Sequence, residues 1–334
     1  MSRETAAGRG RGPRWMIWGA LLAVAGLVAL STWSATIWQR APQPEAALVE
    51  VTIPQGASLR QAARILAGAG LVEDATAFEA MARLFGGGGA IQPGTYQVEA
   101  GSGWGAILAK MQRGEVLTLR LLIPEGLPSV LVHERLMAAE RLQGEAAVPP
   151  EGSVLPATWD YRPGEARAAV LARMQAGMER TLEELWPKRT ERSAVTTPEE
   201  AIILAAIVEK ETALPAERRR VAGLYTNRLR AGMKLDADPT VIYPVTQGRP
   251  LGRRIRRSEL QADTGYNTYV RPGLPVGPIT NPGRDSIAAV LDPEPHDYLF
   301  MVADGSGGHV FARTYAEHQA NVARWRAFRA EQGI

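Results

Sequence analysis

Trp15 to Trp38 is a run of 24 residues without a charged side chain. As a helix it would span roughly 36 Å, enough to cross a hydrocarbon layer of about 30 Å with some tilt. Arg9, Arg11 and Arg14 precede it, and Trp15, Trp18, Trp33 and Trp38 sit toward its two ends. Amphipathic indoles favour the membrane interface, and flanking arginines favour the cytoplasmic side. The expected layout is a cytoplasmic tail over 1–14, a transmembrane helix over 15–38, a spacer over 39–47 and everything beyond on the outer side. A cleaved signal peptide is the rival reading, but the run is long for one and its tryptophans fit poorly.

Charge follows the same division. Residues 1–40 hold five arginines against one glutamate, and the remaining 294 residues hold 33 basic and 34 acidic side chains. The excess of +3 therefore belongs to the tail, and no nucleic-acid partner is expected. With no cysteine in the chain, disulfides, thiolate nucleophiles, zinc ribbons and iron–sulfur clusters are excluded. Only four histidines (133, 296, 309 and 318) are present, so no metal site and no cofactor are expected.

Past the spacer, Leu48 to Ile53 alternates like a strand, and Ser58 is placed to cap a helix to about Ala69. A second helix is expected over Ala75 to Leu84, ended by Gly86–Gly89. Gly94 to Val98 reads as a strand, and Ser102 as the cap of a helix to about Arg113. The result is a βααβ-type unit over 48–115, poor in acid–base groups and suited to binding. Residues 116–334 form the second domain. Its expected elements are a strand over Val116–Ile123, helices over Ser129–Ala139 and Pro163–Leu185, and a rigid turn over Leu155–Tyr161. A hairpin is expected around Asp304–Gly308. The fold class is α+β.

One helix stands apart. Thr197 suits the N-cap, Pro198 the first turn, and Glu200 the third position of a capping box. Ala201 to Val208 is apolar on every face, which requires burial. The run then enters Glu209-Lys210-Glu211-Thr212. Charge at the end of a buried helix is a conflict of the kind found at functional sites. Glu209 and Glu211 point to different sides and cannot act as a pair. Glu211 continues the Leu204–Ile207–Val208 stripe, so its surroundings should be apolar. Such surroundings raise a carboxyl pKa and suit a general acid. The bland alternative is that both carboxylates are solvated at a frayed helix end.

Downstream, Glu217–Leu229 reads as a helix and Asp236–Tyr243 as a turn with a short strand. The loops that follow are rich in Tyr, Asn, Thr, Pro and Gly, as in a carbohydrate cleft, although ordinary turns use the same residues. Arg249, Arg253, Arg254, Arg256 and Arg257 form a basic loop that fits no recognised motif.

Ala205-Ala-Ile-Val-Glu-Lys-Glu-Thr212, Asn227-Arg-Leu229, Asp238-Pro-Thr-Val-Ile-Tyr243, Tyr266-Asn-Thr-Tyr269 and Val302-Ala-Asp-Gly305 with Gly308-His309 follow in this order. Together they closely resemble the MltG/YceG-like endolytic murein transglycosylases. The resemblance implies a LysM-like subdomain over 48–115 and a YceG-like catalytic domain over 116–334. It also implies an enzyme of the lyase class, which cleaves the MurNAc-β-1,4-GlcNAc bond of nascent glycan strands and leaves 1,6-anhydro-MurNAc ends. Its catalytic glutamate maps to Glu211. Glu217, Asn227, Asp238, Thr240, Tyr243, Tyr266, Asn267 and Tyr269 are the candidates for holding substrate. The implied partners are peptidoglycan glycan strands and peptidoglycan synthases, at the plasma (inner) membrane, with a role in terminating glycan elongation. The alternatives are a non-catalytic glycan-binding protein on the same anchor and a hydrolytic muramidase.

Overall fold

The computed structural model describes residues 14–41 and 45–333. The expected tail, up to residue 13, and Pro42–Pro44 of the expected spacer lie outside the described residues. Contacts divide the chain after Thr118 into two compact units.

The first unit opens with α1 (Arg14–Gln39), whose stretch Trp15–Gln39 is long and apolar enough to cross a membrane. It is exposed along nearly its whole length. Then come β1 (Leu48–Ile53), α2 (Leu59–Gly68), α3 (Ala75–Phe85), β2 (Gly94–Glu99) and α4 (Trp104–Arg113). The two strands pair antiparallel, from Leu48 opposite Glu99 to Ile53 opposite Gly94. Their alternation sends Val51, Ile53, Tyr96 and Val98 inward. There they meet Leu66, Phe78, Ile107 and Met111, with Phe78 edge-on to Trp104 at 5.7 Å. Ser58 and Asp74 cap α2 and α3 by accepting from the N–H groups of Gln61 and Ala77. The cap of α4 differs from expectation. Gly103, not Ser102, holds that place, and no side chain caps the helix.

In the second unit β3 (Leu119–Leu122) pairs antiparallel with β4 (Thr158–Tyr161). The expected turn over Leu155–Tyr161 is therefore half strand, and Tyr161 is buried. Four residues are too few for a period of two to announce itself. α5 (Ser129–Ala138) and α6 (Arg167–Leu185) build one core with Ile123, Val154 and Tyr161. A larger core surrounds α7 (Pro198–Glu211), which packs against α8 (Arg218–Arg230) and α11 (Arg284–Leu291). Leu204 and Ile207 of α7 are fully buried, and each contributes about 1.5–3 kcal/mol by leaving water. Thr197 caps α7 at Glu200 N–H. Glu200 reaches back one residue further than a capping box requires, to Thr196 N–H and Oγ1.

α9 (Asp238–Thr246) overturns the expected turn and strand. Pro239 sits in the first turn, where a missing N–H costs nothing. Gln247, in the left-handed region, closes the helix onto Tyr243 O at 2.7 Å. α10 (Arg257–Gln261) follows. The hairpin of β5 (Phe300–Ala303) and β6 (His309–Ala312) matches expectation. α12 (Tyr315–Gln332), an element beyond those expected, follows the hairpin. Among the described residues this is a mixed α+β protein with three two-stranded antiparallel sheets.

Candidate active site

The final turn of α7 sends its two glutamates to different surroundings. Glu209 goes to an ion-pair network. Its side chain is only 6 % exposed, accepts from Gly283 N–H at 2.9 Å and lies 3.7 Å from Arg218. Arg218 also holds Glu125 at 2.8 Å and Asp285 at 3.3 Å. Glu211 enters a cleft of about 360 Å³ lined also by Tyr225 and Arg228 of α8, Asp238 of α9, Tyr269 and His309.

Within that cleft Glu211 Oε1 is sealed from solvent and has no hydrogen-bond partner among the described residues. Burial, reinforced by the negative charge of Asp238, pushes its carboxyl up to about 7. A hydrogen bond from Tyr225 and the positive charge of Arg228 work in the opposite direction. Burial likewise raises Tyr225, so its hydroxyl stays protonated and serves as a donor. Arg228 is fixed by donating from Nε to Leu299 O at 2.6 Å and from Nη1 to Leu235 O at 2.8 Å. Asp238 Oδ1 accepts from the Tyr269 hydroxyl at 2.7 Å. One carboxyl thus keeps its proton up to about pH 7 while a second lies in the same cleft. Chemically the arrangement can deliver a proton to a bound leaving group.

Of the nine candidate residues, Glu211, Asp238 and Tyr269 line this cleft. Glu217 stands behind it, bonded at 2.9 Å to both the backbone N–H and Nδ1 of His309. Thr212 Oγ1 donates to the same carboxylate at 3.3 Å. The other five are turned elsewhere. Asn227 Nδ2 donates to His296 O at 2.7 Å and Tyr298 O at 3.1 Å, clamping α8 to the chain ahead of β5. Thr240 is fully buried and shares a hydroxyl bond of 2.9 Å with Thr268. Asn267 Nδ2 donates to three carbonyls at 2.8–3.1 Å. The rings of Tyr243 and Tyr266 meet at 4.9 Å, tilted by 50°, with Tyr243 hydrogen-bonded to Glu151. In the basic loop, Arg249 pairs with Glu134 and Arg253 with Glu259.

Tyr225, Arg228 and His309 were not among the sequence candidates. Arg228 lies inside the Asn227-Arg-Leu229 string, and a charged residue within the helix that follows Glu211 was the available signal. Because Asn227 bonds backbone carbonyls, Asn227→Ala should cost about 1–3 kcal/mol of stability. A lowered urea midpoint with an unchanged KM would confirm a structural role, and a raised KM at unchanged stability would contradict it.

The fold and cleft define a mixed α+β protein with a single-acid candidate active site. The chain belongs to the YceG-like family, which it matches over residues 51–324. An endolytic murein transglycosylase of Bacillus subtilis (strain 168) is 25% identical over 302 residues, covering 81% of this chain and 82% of that protein. One of Streptococcus pneumoniae serotype 2 is 32% identical over 179 residues, covering 52% of this chain and 32% of that protein. The crystal structure of a yceG-like protein from Listeria monocytogenes has the same fold. Its TM-score is 0.52 at 24% identity, covering 83% of this chain and all but 1% of that one.

Proposed function

We propose that this chain is a membrane-anchored endolytic lytic transglycosylase of peptidoglycan, with Glu211 as its catalytic residue. The observation that carries this reading is the carboxyl of Glu211, shifted up to about 7 in an open cleft. The names of its relatives supply the substrate class. In the proposed reaction Glu211 donates its proton to the glycosidic oxygen as the bond to C1 of MurNAc breaks. The C6 hydroxyl of the same sugar then closes on C1 and returns a proton to the Glu211 carboxylate. No water is consumed, and the acid is regenerated. One carboxyl suffices because the substrate brings its own nucleophile, whereas ordinary glycosidases need two. Tyr225 and Arg228 would stabilise the carboxylate between the two proton transfers.

The anchor is α1, with the tail in the cytoplasm and residues 41–334 on the periplasmic side of the inner membrane. The βααβ unit over 48–115 serves as a LysM-like glycan-binding module beside a YceG-like catalytic domain from 116 onward. Acting beside peptidoglycan synthases, the enzyme would terminate glycan elongation. A hydrolytic muramidase is the second reading, favoured by Asp238 lying in the same cleft as Glu211.

The purified protein should release soluble fragments from isolated peptidoglycan. Binding without release would sink the enzyme reading in favour of a glycan-binding protein. Protease added to spheroplasts should digest the bulk of the chain, and complete protection would reverse the orientation.

A further inference from the structure

The end of α1 is built into the first unit rather than joined to it by a loose stalk. Ile37 is 6 % exposed and belongs to that unit's core. The Trp38 ring lies 5.8 Å from that of Phe85. Arg40 O accepts from Gly103 N–H at 2.7 Å, and the Arg40 side chain reaches Glu73 at 3.5 Å. Two glycines permit this approach. A Cβ at Gly103 would come within 2.7 Å of backbone atoms of Trp38 and Arg40, and one at Gly105 within 2.6 Å of the Trp38 indole nitrogen. The last turn of α1 is therefore gripped by the start of α4 and the end of α3.

Next to this junction two large apolar side chains form a small exposed patch. Leu84 is 75 % exposed and Phe85 59 % exposed, both at the end of α3. Beside them lies a cleft of about 380 Å³ with a mixed lining, Trp38, Phe85 and Leu108 together with Gln39, Arg40 and Gln112. A helix that crosses the bilayer leaves its terminal tryptophan among the lipid headgroups. Because Trp38 touches Phe85, the end of α3 is held at nearly that depth.

We propose that Leu84 and Phe85 form a second membrane contact, seated in the interfacial layer of the same bilayer that α1 crosses. The proposal rests on the reading of α1 as the anchor. The occupant is the lipid surface because this apolar patch is continuous with the membrane-crossing helix through the Trp38–Phe85 contact. Large exposed apolar side chains are otherwise costly to leave in water. Held at two points, the first unit keeps one height and one tilt over the membrane.

The absence of cysteine makes the test direct. Full-length Leu84→Cys, Phe85→Cys and Leu27→Cys variants, each carrying a nitroxide, are reconstituted into phosphatidylethanolamine–phosphatidylglycerol vesicles. Accessibility to oxygen and to a water-soluble nickel chelate is calibrated with doxyl lipids. The label at 27 should report the bilayer centre. Labels at 84 and 85 should report headgroup to upper-acyl depth, with collision with nickel reduced severalfold from that of a label free in water. Position 84 lies outside the Trp38 contact, so it stands even if the label at 85 disturbs the junction. Fully aqueous labels at 84 and 85, with 27 in hydrocarbon, would overturn the proposal and leave the anchor standing. An aqueous label at 27 would overturn the anchor itself and the second contact with it.

Discussion

Glu211→Gln is expected to lower turnover by at least roughly 10²–10⁴-fold, the range attributed to a positioned acid–base group. Gln keeps the shape of the side chain but can neither give nor take the proton. Stability should move the other way. The folded carboxyl sits near 7 against an ordinary 4.5, so the folded state holds the proton more tightly than the unfolded one. That contribution is fully present below about pH 4.5 and is lost as pH rises through 7. The Gln variant should therefore match the wild type near pH 4 and exceed it by up to about 3 kcal/mol above pH 7. Urea midpoints at the two pH values check this independently of any assay of activity. The rate of the wild type should decline as pH rises through about 7, where the acid loses its proton. Glu209→Gln should retain most of the turnover, because Glu209 faces Arg218 and Gly283 rather than the cleft. If Glu209 proved essential and Glu211 dispensable, the assignment would have to move by two residues.

Arg218→Met should cost about 3–5 kcal/mol of stability, since it leaves the nearly buried Glu209 as an uncompensated charge. Arg218 is itself only 11 % exposed at the side chain and joins three acidic groups drawn from separate parts of the chain. The double variant Arg218→Met/Glu209→Gln should recover much of the loss, because the stranded charge is gone. A double variant as unstable as the single one would show that the two side chains are not coupled.

The place of Glu211 could be read from the chain because a local pattern encodes it. A continuous apolar run with a cap and a proline defines α7, and the helical period of 3.6 sends Glu211 and Glu209 to different sides of its last turn. The partners of Glu211 could not be read in that way. Tyr225 and Arg228 reach the cleft through the packing of α8 on α7, and no local period records which face of one helix meets another. Asn227 and Arg228 are neighbours about 100° apart on a helix; both bond the chain before β5, Asn227 at His296 and Tyr298 and Arg228 at Leu299, but only Arg228 lines the cleft with the acid. Thr240 and Asn267 show the limit of reading composition. A stretch rich in Thr and Asn suits sugars and equally suits the internal bonds that hold a chain in shape, and here both side chains bind backbone groups, Thr240 also the hydroxyl of Thr268. α9 was missed because the apolar stretch Val241–Tyr243 is too short for a period to distinguish strand from helix.

The chemistry of the new chain ends tests the central claim most directly. Peptidoglycan is digested with the purified protein in water enriched in oxygen-18, and the released glycans are analysed by mass spectrometry. A lytic transglycosylase leaves 1,6-anhydro-MurNAc ends that carry no label from the solvent, and this is the predicted result. Reducing MurNAc ends bearing one oxygen-18 would contradict it and establish hydrolysis, with Asp238 as the carboxylate to test next.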